Sequence, residues 1–152
     1  MREYKVEAVK CLLAQPGVDP NYCSGDIPPI HWTLMFDNIG SETGLDLFIA
    51  HPATDPNIRD AQGTTPLGRA ATNRSCSVFE KVCAILGHPK TDPNLFDKQR
   101  RTPLFILAID QFPESGNKKN IMRRLLEHLK ISPNVSSSPA QNPLVYGCDR
   151  RK

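Results

Sequence analysis

A short phrase returns along this chain at nearly fixed intervals, and that repetition limits the possible folds more than any other feature. It reads Pro16-Gly17-Val18-Asp19-Pro20-Asn21, then Pro52-Ala53-Thr54-Asp55-Pro56-Asn57, then Pro89-Lys90-Thr91-Asp92-Pro93-Asn94, with Ile131-Ser132-Pro133-Asn134 as a weaker fourth copy. The asparagines stand 36, 37 and 40 residues apart. Downstream, Thr65-Pro66-Leu67 recurs as Thr102-Pro103-Leu104 and Asn142-Pro143-Leu144, with Pro28-Pro29-Ile30 as the first copy. That proline follows the asparagine by nine residues in the last three units and by eight in the first. The chain holds 14 prolines in 152 residues, nearly twice the usual share of about 5%. Scattered through helices or strands they would break any fold. All but Pro28, Pro113 and Pro139 fall in the two registers, and self-similarity at such a period marks a repeat architecture.

The landmarks frame a pair of helices in each unit. Proline suits the first helical position, where its missing N–H would be unpaired anyway, and Thr65, Thr102 and Asn142 precede it as N-caps. A short first helix is therefore expected from each of these prolines. A longer second helix ends before each Asp-Pro-Asn. Its apolar positions hold register: Val9, Leu45, Val82 and Met122 are equivalent, as are Leu12-Leu13, Phe48-Ile49, Ile85-Leu86 and Leu125-Leu126. This i, i+3, i+4 spacing is one helix face, and Pro16, Pro52 and Pro89 stop the helix.

The pattern resembles the ankyrin repeat, a unit of about 33 residues with a β-turn, two helices and a T-P-L-H-x-A signature. The best match runs Asn57-Ile58-Arg59-Asp60-Ala61-Gln62-Gly63-Thr64-Thr65-Pro66-Leu67-Gly68-Arg69-Ala70-Ala71, with Gly68 replacing the usual His. The next unit keeps Asp97 and Thr102-Pro103-Leu104 but has Arg100 where the turn Gly belongs. The first keeps His31, and the last has Ala140 at the Gly position. The resemblance covers nearly the whole chain. It implies an all-α, ankyrin-type solenoid forming one domain over 1–152: a second helix of a partial unit (1–17), units at 18–53, 54–90 and 91–130, and a partial unit at 131–152. Opening on a second helix and closing on a first helix reads as a fragment of a longer array or a reduced gene product.

Composition sets the outer bounds. A chain of this length can bury about two-thirds of its unfolded surface, and 39% hydrophobic residues argue against full disorder. No apolar run reaches the ~18 residues of a membrane span, and no signal-peptide core follows Met1-Arg2-Glu3-Tyr4-Lys5. The cysteines Cys11, Cys23, Cys76, Cys83 and Cys148 are odd in number and lack a CxxC, which points to free thiols in a reducing compartment. The expected location is cytoplasmic, with the nucleus as the alternative.

Little in the chain speaks for chemistry. His51, His88 and His128 each precede the unit's Asn by six residues. Stacked helices lie ~8–10 Å apart, whereas zinc needs nitrogens within ~2.1 Å, so one ladder of histidines cannot converge on a metal. The expected role is a His in the last helical turn that bonds a loop carbonyl and suits the dipole. Cys83 and His88 fall on different parts of one helix surface. GxSxG, HExxH and Gly-rich phosphate loops are absent from the sequence. No enzyme activity, metal, cofactor or small-molecule substrate is inferred.

Net charge is only +3, but cations gather toward the C-terminus: Lys98, Arg100, Arg101, Lys118, Lys119, Arg123, Arg124, Lys130, Arg150, Arg151 and Lys152. They suggest a partner protein with an acidic surface. Nucleic acid is the weaker reading, since no aromatic stripe accompanies the charges. The insertion Gln111-Phe112-Pro113-Glu114-Ser115-Gly116-Asn117 lies between the helices of the third full unit.

The resemblance implies a non-catalytic protein–protein interaction module that binds through the concave face of turn tips and first helices. The alternative is a scaffold fragment of a larger multidomain regulator or enzyme. Carrying the family's variable positions across gives Arg59, Ala61, Gln62, Thr64, Thr72 and Asn73 in one unit. In the next it gives Phe96, Lys98, Gln99, Arg101, Ile109 and Asp110. Phe96 and Ile109 are expected exposed beside Lys98 and Arg101, as a hot-spot patch. Glu80 and Lys81 are expected on the opposite, solvent-facing side, and Leu67 and Leu104 in the core.

Overall fold

A computed structural model describes residues 3–23, 25–35, 43–73, 77–109 and 116–132. Within them lie seven helices and no strand: α1 Glu3–Leu13, α2 Pro29–Met35, α3 Gly44–Ala50, α4 Pro66–Thr72, α5 Val78–Gly87, α6 Pro103–Ile109 and α7 Gly116–Leu126. Asp110, Cys76, Cys148, residues 111–115 of the insertion and the helix start at Pro143 lie outside the described residues. Gly116 and Asn117, read as insertion, belong to the first turn of α7. None of these helices is long and apolar enough to cross a membrane.

The short helices start where proline presets φ. Pro29, Pro66 and Pro103 open α2, α4 and α6. Thr65 Oγ1 accepts from the Gly68 N–H at 3.2 Å, and Thr102 Oγ1 from the Phe105 N–H at 3.2 Å. α3 has a cap of a different kind, a reciprocal box in which Thr43 and Asp46 bond each other's backbone N–H. Two-turn helices are marginal alone in water, so packing must hold them. The contacts form two rows. α2 packs on α4 and α4 on α6, while α1, α3, α5 and α7 pack successively; α2·α3, α4·α5 and α6·α7 are the rungs.

The core lies between the rows. Ile30, Leu67 and Leu104 fill the position after each helix-opening proline, at 2%, 1% and 3% exposure. Leu45, Val82, Ile85 and Leu125 face them from α3, α5 and α7; α3, expected longer than its partner, has seven residues like α2. Val9 and Met122, placed in the same column by the sequence, are only half-buried; in α7 the neighbouring Ile121 takes the inner position.

The repeated asparagine proves to be the clamp between consecutive units. Asn21 Nδ2 donates to the Ala53 carbonyl at 2.7 Å, and its Oδ1 accepts from the Asp55 N–H at 2.8 Å. Asn57 makes the same pair with Lys90 and Asp92, and Asn94 with Lys130 and Ser132. An amide carries both a donor and an acceptor on one planar group, so it satisfies a carbonyl and an N–H of the next loop at once. Aspartate within the phrase has a local duty: Asp19, Asp55 and Asp92 each accept from the N–H two residues on. The phrase therefore recurs because each copy bonds the next.

Candidate protein-binding surface

The turn tips before α4 and α6 are built around a buried carboxylate. Asp60 Oδ1 accepts from the N–H groups of Gln62 and Thr64 at 2.9 and 2.8 Å, and Asp97 Oδ1 from those of Gln99 and Arg101, both at 2.9 Å. Their other oxygens take a guanidinium: Arg69 Nη2 on Asp60 at 2.6 Å, Arg101 Nη2 on Asp97 at 2.7 Å. Both tips also need a left-handed residue. Gly63 sits at φ 74, and a Cβ there would lie 3.1 Å from the backbone N of Lys98. Arg100 takes the same slot with φ 60, a conformation that strains a residue with a side chain.

Successive tips are locked in register by backbone. The Ala61 N–H donates to the Asp26 carbonyl at 2.8 Å and the Lys98 N–H to the Gln62 carbonyl at 3.0 Å. The Arg59 guanidinium reaches the Gly63 carbonyl at 3.3 Å and also the Phe96 carbonyl. Its charged head thus stitches two tips together while the residue stays exposed.

The predicted site residues divide into two groups. Arg59, Ala61, Gln62, Thr64, Phe96, Lys98, Gln99 and Arg101 come together on the two adjoining tips. Thr72, Asn73 and Ile109 stand at the far ends of α4 and α6, about 10 Å along a seven-residue helix. Gln62, Lys98, Gln99 and Thr72 are exposed; Ala61, Thr64, Asn73, Phe96, Arg101 and Ile109 are half-buried. Phe96 and Ile109 are therefore less open than their sequence positions suggested. Asn73 is partly a framework residue, because its Nδ2 donates to the Leu34 carbonyl. Arg101 is largely committed to Asp97, so it is a clamp within the tip before it is a contact for anything else. Two further cations of the C-terminal cluster separate here: Lys130 donates to the Pro89 carbonyl at 2.5 Å, while Arg123 points to solvent from α7.

One residue of the patch was missed. Arg100, which stands where the turn Gly belongs, is not among the carried-over positions, yet it is exposed and its Cζ lies 5.9 Å from the centroid of the Phe96 ring. A large cation in a slot that calls for glycine was the available signal.

Two expectations need correction. Lys81 is buried at 4% exposure and its Nζ lies 3.4 Å from the Leu34 carbonyl, so it is not a solvent-facing residue that tolerates charge reversal; Glu80 is exposed as expected. The histidines that follow α3, α5 and α7 do not donate to loop carbonyls. His51, His88 and His128 each accept, through Nδ1, from the N–H of the residue two further on, at 3.3 Å. Each ring thus closes a turn in the loop that follows its helix. The cysteines among the described residues are free thiols, as expected: Cys11 is exposed and Cys23 and Cys83 are half-buried.

His31 is fully buried, with Nε2 2.9 Å from the Thr64 carbonyl. A carbonyl only accepts, so Nε2 carries the proton. Nδ1 has no partner. Burial pushes the imidazole below its usual pKa of 6.5, more than the Thr64 hydrogen bond and the Asp60 charge raise it. His31 is therefore a neutral tie from α2 to the next tip. Gly68 omits that tie one unit on, where a Cβ would come within 3.0 Å of Thr64 Cγ2. Among the described residues no group of three His, Cys, Asp or Glu side chains is placed to hold a metal.

Compared with protein-family profiles, with curated proteins and with solved structures, the chain returned no match.

Proposed function

We propose that this chain is an ankyrin-type solenoid and a non-catalytic protein–protein interaction module, taking a partner with an acidic surface on the concave side formed by its turn tips and first helices. The two rows of helices, the proline helix starts and the asparagine clamps support the solenoid. One observation carries the binding face. At the tips before α4 and α6 both acids, Asp60 and Asp97, are buried and paired, whereas Arg59, Lys98 and Arg100 stay at the surface. The acids are therefore taken up inside the tips, and the cations define the tip surface.

Its backbone is fixed by hydrogen bonds within and between tips, so little ordering cost falls on binding. The half-buried Phe96 ring, covered by Arg100, supplies apolar area at the centre of the cations. Such an arrangement attracts an acidic rim and steers encounter at low salt. Capture of partners by the full chain is the test, compared with the double variant Lys98→Glu, Gln99→Glu. Both side chains are exposed, so the fold stays intact and the captured partner should be lost. Arg101→Glu is a poor probe, because it also breaks the Asp97 clamp. Capture that is equal with both proteins rejects the tips as the binding face.

A further inference from the structure

Among the described residues Arg100 is the one non-glycine that holds a left-handed backbone, at φ 60. Its counterpart at the preceding tip is Gly63, at φ 74. Both turns need that conformation for the same bond. The Gly63 N–H donates to the Asp60 carbonyl at 2.8 Å, and the Arg100 N–H to the Asp97 carbonyl at 2.9 Å. Glycine adopts it freely, whereas an arginine there is strained. At Gly63 the missing side chain is required, since a Cβ would meet the Lys98 backbone N at 3.1 Å. The turn itself does not ask for arginine at 100, so the strain points to something the side chain does.

That side chain is exposed, with Cζ over the Phe96 ring and 5.9 Å from its centroid, within reach of a cation–π contact. An exposed contact of this kind is weak beside the strain of the backbone, so stability does not account for the residue. What the ring supplies is a seat. Phe96 is half-buried, and the Arg59 guanidinium holds its carbonyl. Sitting on a ring spends no hydrogen-bond acceptor, and among the described residues the Arg100 side chain makes no hydrogen bond. The other arginines of the tips are committed: Arg59 to the Gly63 and Phe96 carbonyls, Arg69 to Asp60 and Arg101 to Asp97. Lys98, exposed on the same tip, adds a charge but no planar fork. On the reading that the tips are the binding face, we infer that Arg100 is the residue that selects the partner: it takes one carboxylate of an acidic peptide segment through a bidentate pair, with a neighbouring carboxylate of that segment on Lys98. A fork matched to a carboxylate fixes geometry as well as charge, which a strained arginine supplies and a relaxed glycine does not.

Three variants, Arg100→Gly, Arg100→Ala and Arg100→Lys, separate the strain from the recognition. Thermal unfolding needs no partner. Arg100→Gly relieves the backbone and should raise the melting temperature by roughly 2–4 °C, whereas Arg100→Ala keeps the strain and should not. Binding is read by amide NMR titration of the labelled full chain with an octaglutamate peptide at low salt. The parent should show shifts at Lys98–Arg101, and Arg100→Gly and Arg100→Ala should each weaken affinity by about fivefold. Arg100→Lys keeps the charge and should still bind more weakly than the parent. An Arg100→Gly chain no more stable than the parent overturns the inference. So does peptide binding at the tips that Arg100→Ala or Arg100→Lys leaves unchanged, a result that spares the tips as the binding face. Peptide shifts that avoid both tips overturn the inference and the binding face together.

Discussion

Asn57→Ala is the sharpest probe of how the units are held together. The substitution removes two hydrogen bonds to the next loop, Nδ2 to the Lys90 carbonyl at 2.7 Å and the Asp92 N–H to Oδ1 at 2.8 Å. Each is worth about 1 kcal/mol net. Lys90 is exposed, so water replaces the first partner readily. Asp92 is half-buried, so its N–H is replaced less well and falls at the costly end of the range. The sum is about 2 kcal/mol, which for a chain of this size lowers the melting temperature by roughly 4–8 °C. Urea and thermal unfolding followed by circular dichroism measure it. Asn57→Asp should cost at least as much: it keeps an acceptor for Asp92 but sets an oxygen against the Lys90 carbonyl. The exposed control Gln62→Ala should cost under ~0.5 kcal/mol. If Asn57→Ala costs no more than Gln62→Ala, the asparagines are not clamps and the reason given for the repeat is wrong.

Other outcomes follow from the same geometry. Leu67→Ala and Leu104→Ala, each truncating a buried side chain, should cost about 2–5 kcal/mol in equilibrium unfolding. Lys81→Glu places a carboxylate in a buried site facing the Leu34 carbonyl and should destabilise strongly, whereas Glu80→Lys should be near neutral; equal melting temperatures would contradict the burial. His31 binds its proton more weakly folded than unfolded, so its contribution is complete above pH ~6.5 and declines as pH falls through that value. His31→Gln should flatten the loss of stability between neutral pH and pH ~5.5, and an unchanged pH profile would reject the assignment. For a captured partner, Phe96→Ala should mainly speed dissociation, while Lys98→Glu should mainly slow association, with the difference shrinking at high salt.

The helix starts were legible because proline and threonine impose them locally: Pro66 and Pro103 preset φ, and Thr65 and Thr102 cap at the predicted places. The core residues Leu67, Leu104, Val82 and Ile85 were legible through period and register. Other features depend on neighbours that sequence spacing does not reveal. Lys81 occupies a helix position that looks solvent-facing, and only the approach of the Leu34 carbonyl shows it to be buried. His51, His88 and His128 formed a visible column, but whether a ring nitrogen gives or takes a proton is set by which backbone group faces it. Arg101 read as a free cation because its pairing with Asp97 depends on how the tip folds back, and Arg100 was passed over because its slot belongs to the turn. The asparagine spacing was the strongest signal in the chain, yet its cause, a bond from each unit to the next, became apparent only with the loops in place.

The central claim is that the turn tips before α4 and α6 form the binding face. An amide NMR titration of the labelled full chain with the partner recovered by capture tests it most directly. The account predicts shifts concentrated on Arg59–Gln62 and Phe96–Arg101, fading as salt rises. Shifts confined to α3, α5 and α7, with the tips unmoved, would contradict it.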